Sequence, residues 1–338
     1  MFKQILIYLL ISVGLSTTVF ANEPVDEKQL AVEVNKFIDM MVDEHAFDRE
    51  YLEKWFASAK PNKPILKKIA RPAESVMTWN RYRKIFIQQE RVDKGLAFWT
   101  EHEETLARAE VKYGVPAEVI LGLIGVETKY GRIKGKIDVF DSLYTLGFHF
   151  PRRSKFFRKE LKEFLLLARE QEWTIGTING SYAGAMGYGQ FMPSSYRMYA
   201  VDFDDDGKID LLNNPVDAIG SVANYVKVHG WEVDGGFVYR ADVKGEKYKT
   251  LMTKRLKPKS TIEQFSQANV TIKEQLAPEI KAVLVELQQK DHKEYWLGLH
   301  NFYVISRYNP RAMYTMAVIQ LTEMIKEQRF ATTSGEAK

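Results

Sequence analysis

Apolar side chains recur at helical spacing along much of the first third of the chain. Leu30, Val34, Phe37 and Met41 share one helix face, then Tyr51, Trp55 and Phe56, then Leu96, Trp99 and Leu106. Residues 26–113 therefore read as helices, with Pro61, Pro64 and Pro72 as punctuation. The stretch from 115 to 131 reads as a further helix. Pro116 suits a first turn, where no N–H is needed, and Gly131 suits the position just past the end. Residues 138–147 read as a short connection, and His149-Phe-Pro-Arg-Arg introduces a helix over Ser154–Glu170. From 231 to about 295 the pattern changes. Phe237, Tyr239 and Ala241 alternate at period 2, as in a strand, with a short helix expected over 262–268. Residues 301–328 read as strand and then helix, with Tyr314, Val318 and Leu321 on an apolar stripe; the polar tail beyond Phe330 is expected to be disordered. The fold class predicted is mainly α (α+β), with no internal repeat.

Two segments shift this picture. At the N-terminus, Met-Phe-Lys, an apolar run from Ile5 to Val13, and Val19-Phe-Ala21 have the layout of a cleaved secretory signal over 1–21. Ser12, Ser16, Thr17 and Thr18 interrupt the run before it reaches the ~20 residues a membrane span needs. The mature chain is expected to begin at Asn22. The chain holds no cysteine, which excludes disulfides, thiolate metal sites, a catalytic thiol and a lipid-bearing cysteine after the signal. A periplasmic, unanchored monomer is the expectation. Composition, 45% hydrophobic and 27% charged, is that of a globular protein with a sizeable core. A net charge of +4 suits an anionic polymer but is too small to argue for nucleic acid, for which no motif is present.

The chemistry concentrates between 115 and 195. Ile120, Leu123, Ile124 and Glu127 lie at i, i+3, i+4 and i+7, which places one carboxylate on the apolar stripe of its helix. Surrounded by hydrocarbon, a carboxyl is harder to ionise and can donate a proton near neutral pH. Glu127 is thus a candidate general acid. Downstream, Gly176, Gly180, Gly184, Gly187 and Gly189 sit among small and aromatic residues, a density that lets backbone approach a ligand. The stretch lacks the Gly-Lys-Ser/Thr ending of a phosphate loop. No Gly-x-Ser-x-Gly or His-Glu-x-x-His pattern occurs elsewhere.

Gly-Val-Glu-Thr-Lys-Tyr-Gly, with Gly-Ser-Tyr-Ala-Gly-Ala-Met-Gly-Tyr-Gly-Gln-Phe-Met-Pro-Ser-Ser-Tyr after it, resembles the lytic murein transglycosylase B family, glycoside hydrolase family 103. The likeness continues through Asn213-Asn-Pro-Val-Asp-Ala-Ile-Gly-Ser-Val-Ala-Asn-Tyr225 and returns at Asn301-Phe-Tyr-Val-Ile-Ser-Arg-Tyr-Asn309. The resemblance implies a lysozyme-like catalytic core over 114–230 and 300–330; the patterns above add an N-terminal helical domain over 22–113, a small β-containing insertion over 231–299, and a disordered tail over 331–338. It implies that Glu127 is the single acid and base in non-hydrolytic cleavage of the MurNAc-GlcNAc bond of peptidoglycan, with no cofactor for catalysis. Ser181, Gln190, Tyr225, Tyr308 and Asn309 match cleft positions, and Tyr82 matches a residue bordering the cleft. Absence of a lipid-bearing cysteine departs from the family members that are lipoproteins. A hydrolytic muramidase and a non-catalytic wall-binding scaffold stay open, as do partners among wall-synthesis proteins.

Three further readings come from the residues. Arg152 and Arg153 offer forked donors to the carboxylates of a murein strand, or are solvated charges at a helix start. Tyr314 either packs on its stripe or turns its hydroxyl to the cleft. Asp202-x-Asp204-x-Asp206-Gly207-Lys208 has the alternation of a calcium loop, with Lys208 offering its carbonyl. Asn213 stands where the closing Glu is usual, and the family resemblance supplies Asp217 in its place. A structural Ca2+ is expected there, against the alternative of an acidic turn.

Overall fold

The computed structural model describes residues 26–70, 77–233 and 235–335. The expected signal over 1–21 and Pro72 lie outside the described residues. The chain divides into two compact units, residues 1–52 and 53–338. The first holds α1 (Glu27–His45), whose N-cap Asp26 accepts from Lys28 N at 3.0 Å and whose end turns at Ala46 in the left-handed region. Arg49 at the start of α2 (Arg49–Ser58) pairs with Asp39 at 2.6 Å.

In the second unit α3 (Lys63–Ala70), α4 (Trp79–Phe86), α5 (Gln89–Glu101) and α6 (Glu103–Tyr113) precede α7 (Ala117–Thr128). There follow β1 (Ile137–Asp138), α8 (Val139–His149), α9 (Ser154–Glu170), β2 (Asn179–Gly180), α10 (Pro193–Tyr199) and α11 (Pro215–Val228). Next come β3 (Val238–Val243), β4 (Ser260–Thr261), α12 (Ile262–Gln267), β5 (Val270–Ile272), β6 (Lys281–Gln288) and β7 (Lys293–Gly298). Helices α13 (His300–Ser306) and α14 (Ala312–Gly335) close the chain. No helix among the described residues is long and apolar enough to cross a membrane.

Every residue of α7 from Ala117 to Val126 is buried, so this helix is the axis of the unit, with α5, α6, α11 and α14 packed around it. Close approach is possible because Gly122 faces α14: a Cβ there would lie 2.1 Å from Thr322 Oγ1. Glu118 enters this core paired with Lys326 at 2.9 Å.

Three expectations are corrected. Residues 138–147 are not a connection but most of α8, capped by Asp138, whose carboxylate accepts from Asp141 N at 2.9 Å. Both sides of α8 are buried, so no polar face imposes a helical period on its sequence. The strand expected after Asn301 is instead β7 before it, and 300–306 is helical. Phe302, Tyr303, Val304 and Ile305 favour strands by propensity, but burial of three of them in helical geometry overrides it. The last helix also continues to Gly335 rather than giving way beyond Phe330.

Strands β3 to β7 form one antiparallel sheet in the order β4-β6-β7-β3-β5. One face is covered by Phe265, Tyr248, Val270 and Leu299 over Leu284 and Leu297, while β6 also packs on α4 and α14. Asn301 fastens the return of the chain to the helical core: its side chain accepts from Glu232 N at 3.0 Å and donates to the carbonyls of Glu232 and Gly235.

Candidate active site

Glu127 stands one residue before the end of α7, and the chain reverses sharply after it. The left-handed turn expected at Gly131 begins two residues earlier. Lys129 (φ 53°), Tyr130 (φ 59°) and Gly131 (φ 78°) are all left-handed. Two consecutive side-chain-bearing residues in this region are costly, so something must hold them. Thr128 does part of this. Its hydroxyl donates to Tyr188 O at 2.8 Å and accepts from Gly131 N at 2.9 Å, tying the acid's helix to the glycine-rich stretch. A Thr beside the carboxylate and next to the turn is the signal in the sequence for this tie.

Tyrosines converge on Glu127 from the far end of the chain. The Tyr314 hydroxyl, on α14, donates to Glu127 Oε1 at 2.5 Å, so it turns to the acid. Burial pushes the Glu127 carboxyl up to about 7, and the Tyr314 bond works in the other direction. Glu127 itself is half-buried, so part of its surface stays open. The hydroxyls of Tyr314, Tyr308 and Tyr225 are all raised, mainly by burial, and each feels the charge of Glu127. Tyr308 donates to Gly189 O at 2.6 Å and Tyr225 to Arg307 O at 2.8 Å, with the two rings 4.8 Å apart. Tyr82 is buried, stacks on Trp79 at 6.3 Å and lies near enough to Tyr314 to influence its hydroxyl. Because the Tyr314 bond favours the ionised acid, Tyr314→Phe should raise the pKa of Glu127. The alkaline limb of activity is then expected to move up by about half to one unit, with roughly ten-fold slower turnover from lost orientation. A pH–rate profile in which that limb stays put or moves to lower pH would remove Tyr314 from this role.

The glycines of the 176–189 stretch make room for other parts of the protein: a Cβ on Gly187 would meet Leu211 O at 2.2 Å, and one on Gly189 the Tyr308 hydroxyl at 2.8 Å. Ser181 accepts from Ala183 N and Ala185 N at 3.3 and 3.0 Å, shaping the turn. Gln190 is itself left-handed (φ 50°) and donates to the carbonyls of Lys134 and Gly187. Asn309 is half-buried, and its carbonyl accepts from Arg311 N at 2.7 Å ahead of α14. Arg152 and Arg153 are exposed in a 3-10 turn before α9, and Arg153 lies over the rings of Phe156 and Phe157. Neither joins the hydrogen-bond network around Glu127.

In the acidic loop, carboxylate oxygens of Asp202, Asp204 and Asp217 lie within 4.8 Å of one another. Asp206, expected with them, is outside this group; its Oδ1 accepts from Lys208 N at 2.8 Å. Asp202 accepts from Asp206 N and Gly207 N, and Asp217 from Phe203 N and Asp210 N, both at 2.7 Å. Burial, with the charges of Asp204 and Asp202 as lesser causes, raises the Asp217 carboxyl, against the pull of its two N–H donors. No Lys or Arg pairs with these three among the described residues, so a divalent cation suits the donor set. The loop also touches the site: Tyr188 N donates to Leu211 O at 3.0 Å and Lys134 Nζ to Leu212 O at 2.6 Å.

The family model described as "Transglycosylase SLT domain" matches residues 29–323. The chain is 42% identical to the membrane-bound lytic murein transglycosylase B of Escherichia coli (strain K12), over 90% of this chain and 84% of that one. The fold matches the crystal structure of the soluble lytic transglycosylase SltB1 from Pseudomonas aeruginosa with a TM-score of 0.82 and 46% identity, covering 88% of this chain and 99% of that one. It also matches the Escherichia coli lytic transglycosylase Slt35 in complex with calcium, with a TM-score of 0.80 and 43% identity, over 88% and 93% of the two chains.

Proposed function

The chain belongs to the SLT-domain lytic transglycosylases, and from that premise we propose that it cleaves the MurNAc-GlcNAc β-1,4 bond without water, Glu127 acting first as acid and then as base. Membership makes it a peptidoglycan-cleaving lyase with a mainly helical, lysozyme-like fold. The observation that carries the finer reading is the enclosed Glu127 carboxyl, protonated up to about pH 7 and influenced by burial and Tyr314 rather than by a second carboxylate. Hydrolytic glycosidases of the two-carboxylate kind need that second group to activate water or to form a covalent bond. Here the Glu127 proton passes to the glycosidic oxygen as the C1–O bond breaks. The C6 hydroxyl of the same muramic residue then bonds to C1, and its proton returns to the Glu127 carboxylate, leaving a 1,6-anhydromuramoyl end. Mass spectrometry of muropeptides released from sacculi tests this. Anhydro ends are expected, and reducing ends alone would make the enzyme a muramidase.

Cleavage of the signal before Asn22 and a periplasmic location complete the reading, since the substrate lies there. Calcium is assigned to Asp202, Asp204 and Asp217, a structural role with no step in the chemistry, and the calcium complex of Slt35 supports it. Calcium added to chelator-stripped protein should raise its melting temperature, with an affinity on the order of 10⁻⁴ to 10⁻³ M. Asp204→Ala should abolish the response. A melting curve unchanged across millimolar calcium would leave an acidic turn.

A further inference from the structure

Arg91 on α5 is 8% exposed, and its guanidinium meets no carboxylate among the described residues. The acidic groups it feels are the Tyr130 phenol, which burial keeps neutral, and Glu90, which is taken up by Lys94 and Lys129. Its two terminal nitrogens go to main chain instead, Nη1 to Gly125 O and Nη2 to Ile85 O at 3.2 Å, while the buried Nε has no partner among the described residues. Both carbonyls belong to the last turns of helices, α7 and α4, and Phe86 of α4 stacks 5.4 Å from the guanidinium. Helix C-termini carry partial negative charge, so two of them together stand in for a counter-ion. Burying a guanidinium this way is costly, and a site needing only packing would be better served by an apolar side chain.

What the clasp joins explains its retention. Gly125 lies two residues before Glu127, and Ile85 three after Tyr82, the neighbour of the acid's own hydrogen-bond donor Tyr314. The strained reversal behind Glu127 is seated in the same place. A Cβ on Gly95 of α5 or on Gly125 of α7 would lie 2.5 Å from the Tyr130 hydroxyl, so the left-handed Tyr130 fits a slot between the two helices. We propose that Arg91 is a positioning residue for the acid, gripping the last turns of α4 and α7 so that Glu127 keeps its place against the Tyr82–Tyr314 side of the cleft. The inference rests on the reading of Glu127 as the catalytic acid.

Arg91→Lys keeps the charge and loses the two-pronged reach; Arg91→Met keeps only bulk. Per folded molecule, Arg91→Lys is expected to lower kcat by roughly ten-fold or more with KM within about two-fold, because misplacement acts on the barrier rather than on binding. Water reaching a loosened Glu127 should also shift the alkaline limb to lower pH. The other groups facing the acid, Tyr314, Tyr308 and Tyr225, are the same in both proteins. A folded Arg91→Lys with lower melting temperature but wild-type kcat and an unmoved limb would reduce Arg91 to a packing residue and overturn the proposal; this variant decides even if Arg91→Met fails to fold. Absence of any product from wild type would instead sink the transglycosylase reading. Carboxyl ¹³C NMR of Glu127 in the two proteins then settles the positioning role, a lower pKa in Arg91→Lys supporting it and an equal one overturning it.

Discussion

Glu127→Gln is expected to fold, to bind sacculi, and to release muropeptides at less than about one-thousandth of the wild-type rate. The amide keeps size and can still accept from the Tyr314 hydroxyl, but it has no proton to give the leaving oxygen and no charge to take one back. Stability should change in the opposite direction. In the folded chain the Glu127 carboxyl titrates near about 7 because of burial, whereas in the unfolded chain it titrates near about 4.3. Below the lower value both states are protonated and nothing is lost. As pH rises, the unfolded chain releases the proton first, so the folded state loses stability until the carboxyl has ionised in it too. Above neutrality the full loss is about 4 kcal/mol. The Gln variant carries no such loss, so it should melt above wild type at pH 8, and that gain should vanish at pH 4. Wild-type rates in the variant, or a melting difference independent of pH, would contradict the acid assignment and its buried setting respectively.

That Glu127 sits on a helix among apolar neighbours was legible because a single carboxylate on an apolar helical stripe is a local pattern. Ser154–Glu170 was equally plain, since α9 has one wet and one dry face. The helix over 139–149 was not: with both sides buried, its hydrophobic positions have no period to read. What the glycines make room for is hard to read for a related reason. Their spacing announces close approach but not what approaches, and Leu211 and Tyr308 arrive from distant parts of the chain. Asp206 and Asp217 make the same point in opposite directions. The regular Asp-x-Asp-x-Asp alternation suggested Asp206, yet the converging third carboxylate is Asp217, placed by the first turn of α11. Arg91 carried no sequence signal at all, because an arginine on a helix with glutamates nearby reads as a surface ion pair, and its burial is decided by where α4 and α7 end.

Asp217→Ala is expected to be the most damaging change outside the acid itself, and to act on fold and site together. Its carboxylate receives Phe203 N and Asp210 N, and truncation leaves these donors without partner in a buried position. Two such losses cost about 2 to 5 kcal/mol, which in a chain of this size corresponds to a melting temperature lower by roughly 3 to 7 °C. The damage should spread, because Asp210 leads into Leu211, whose carbonyl holds Tyr188 N, and Tyr188 O in turn holds Thr128 beside the acid. Asp204→Ala supplies the contrast. Among the described residues its exposed carboxylate accepts only from the Asn214 side chain at 2.9 Å, so in chelator it should melt close to wild type while still losing the response to calcium. Melting both variants in chelator and then in millimolar calcium separates the two roles of the loop. Equal destabilisation of the two in chelator would mean that Asp217 acts only through the bound ion, and that the loop is not otherwise tied to the fold.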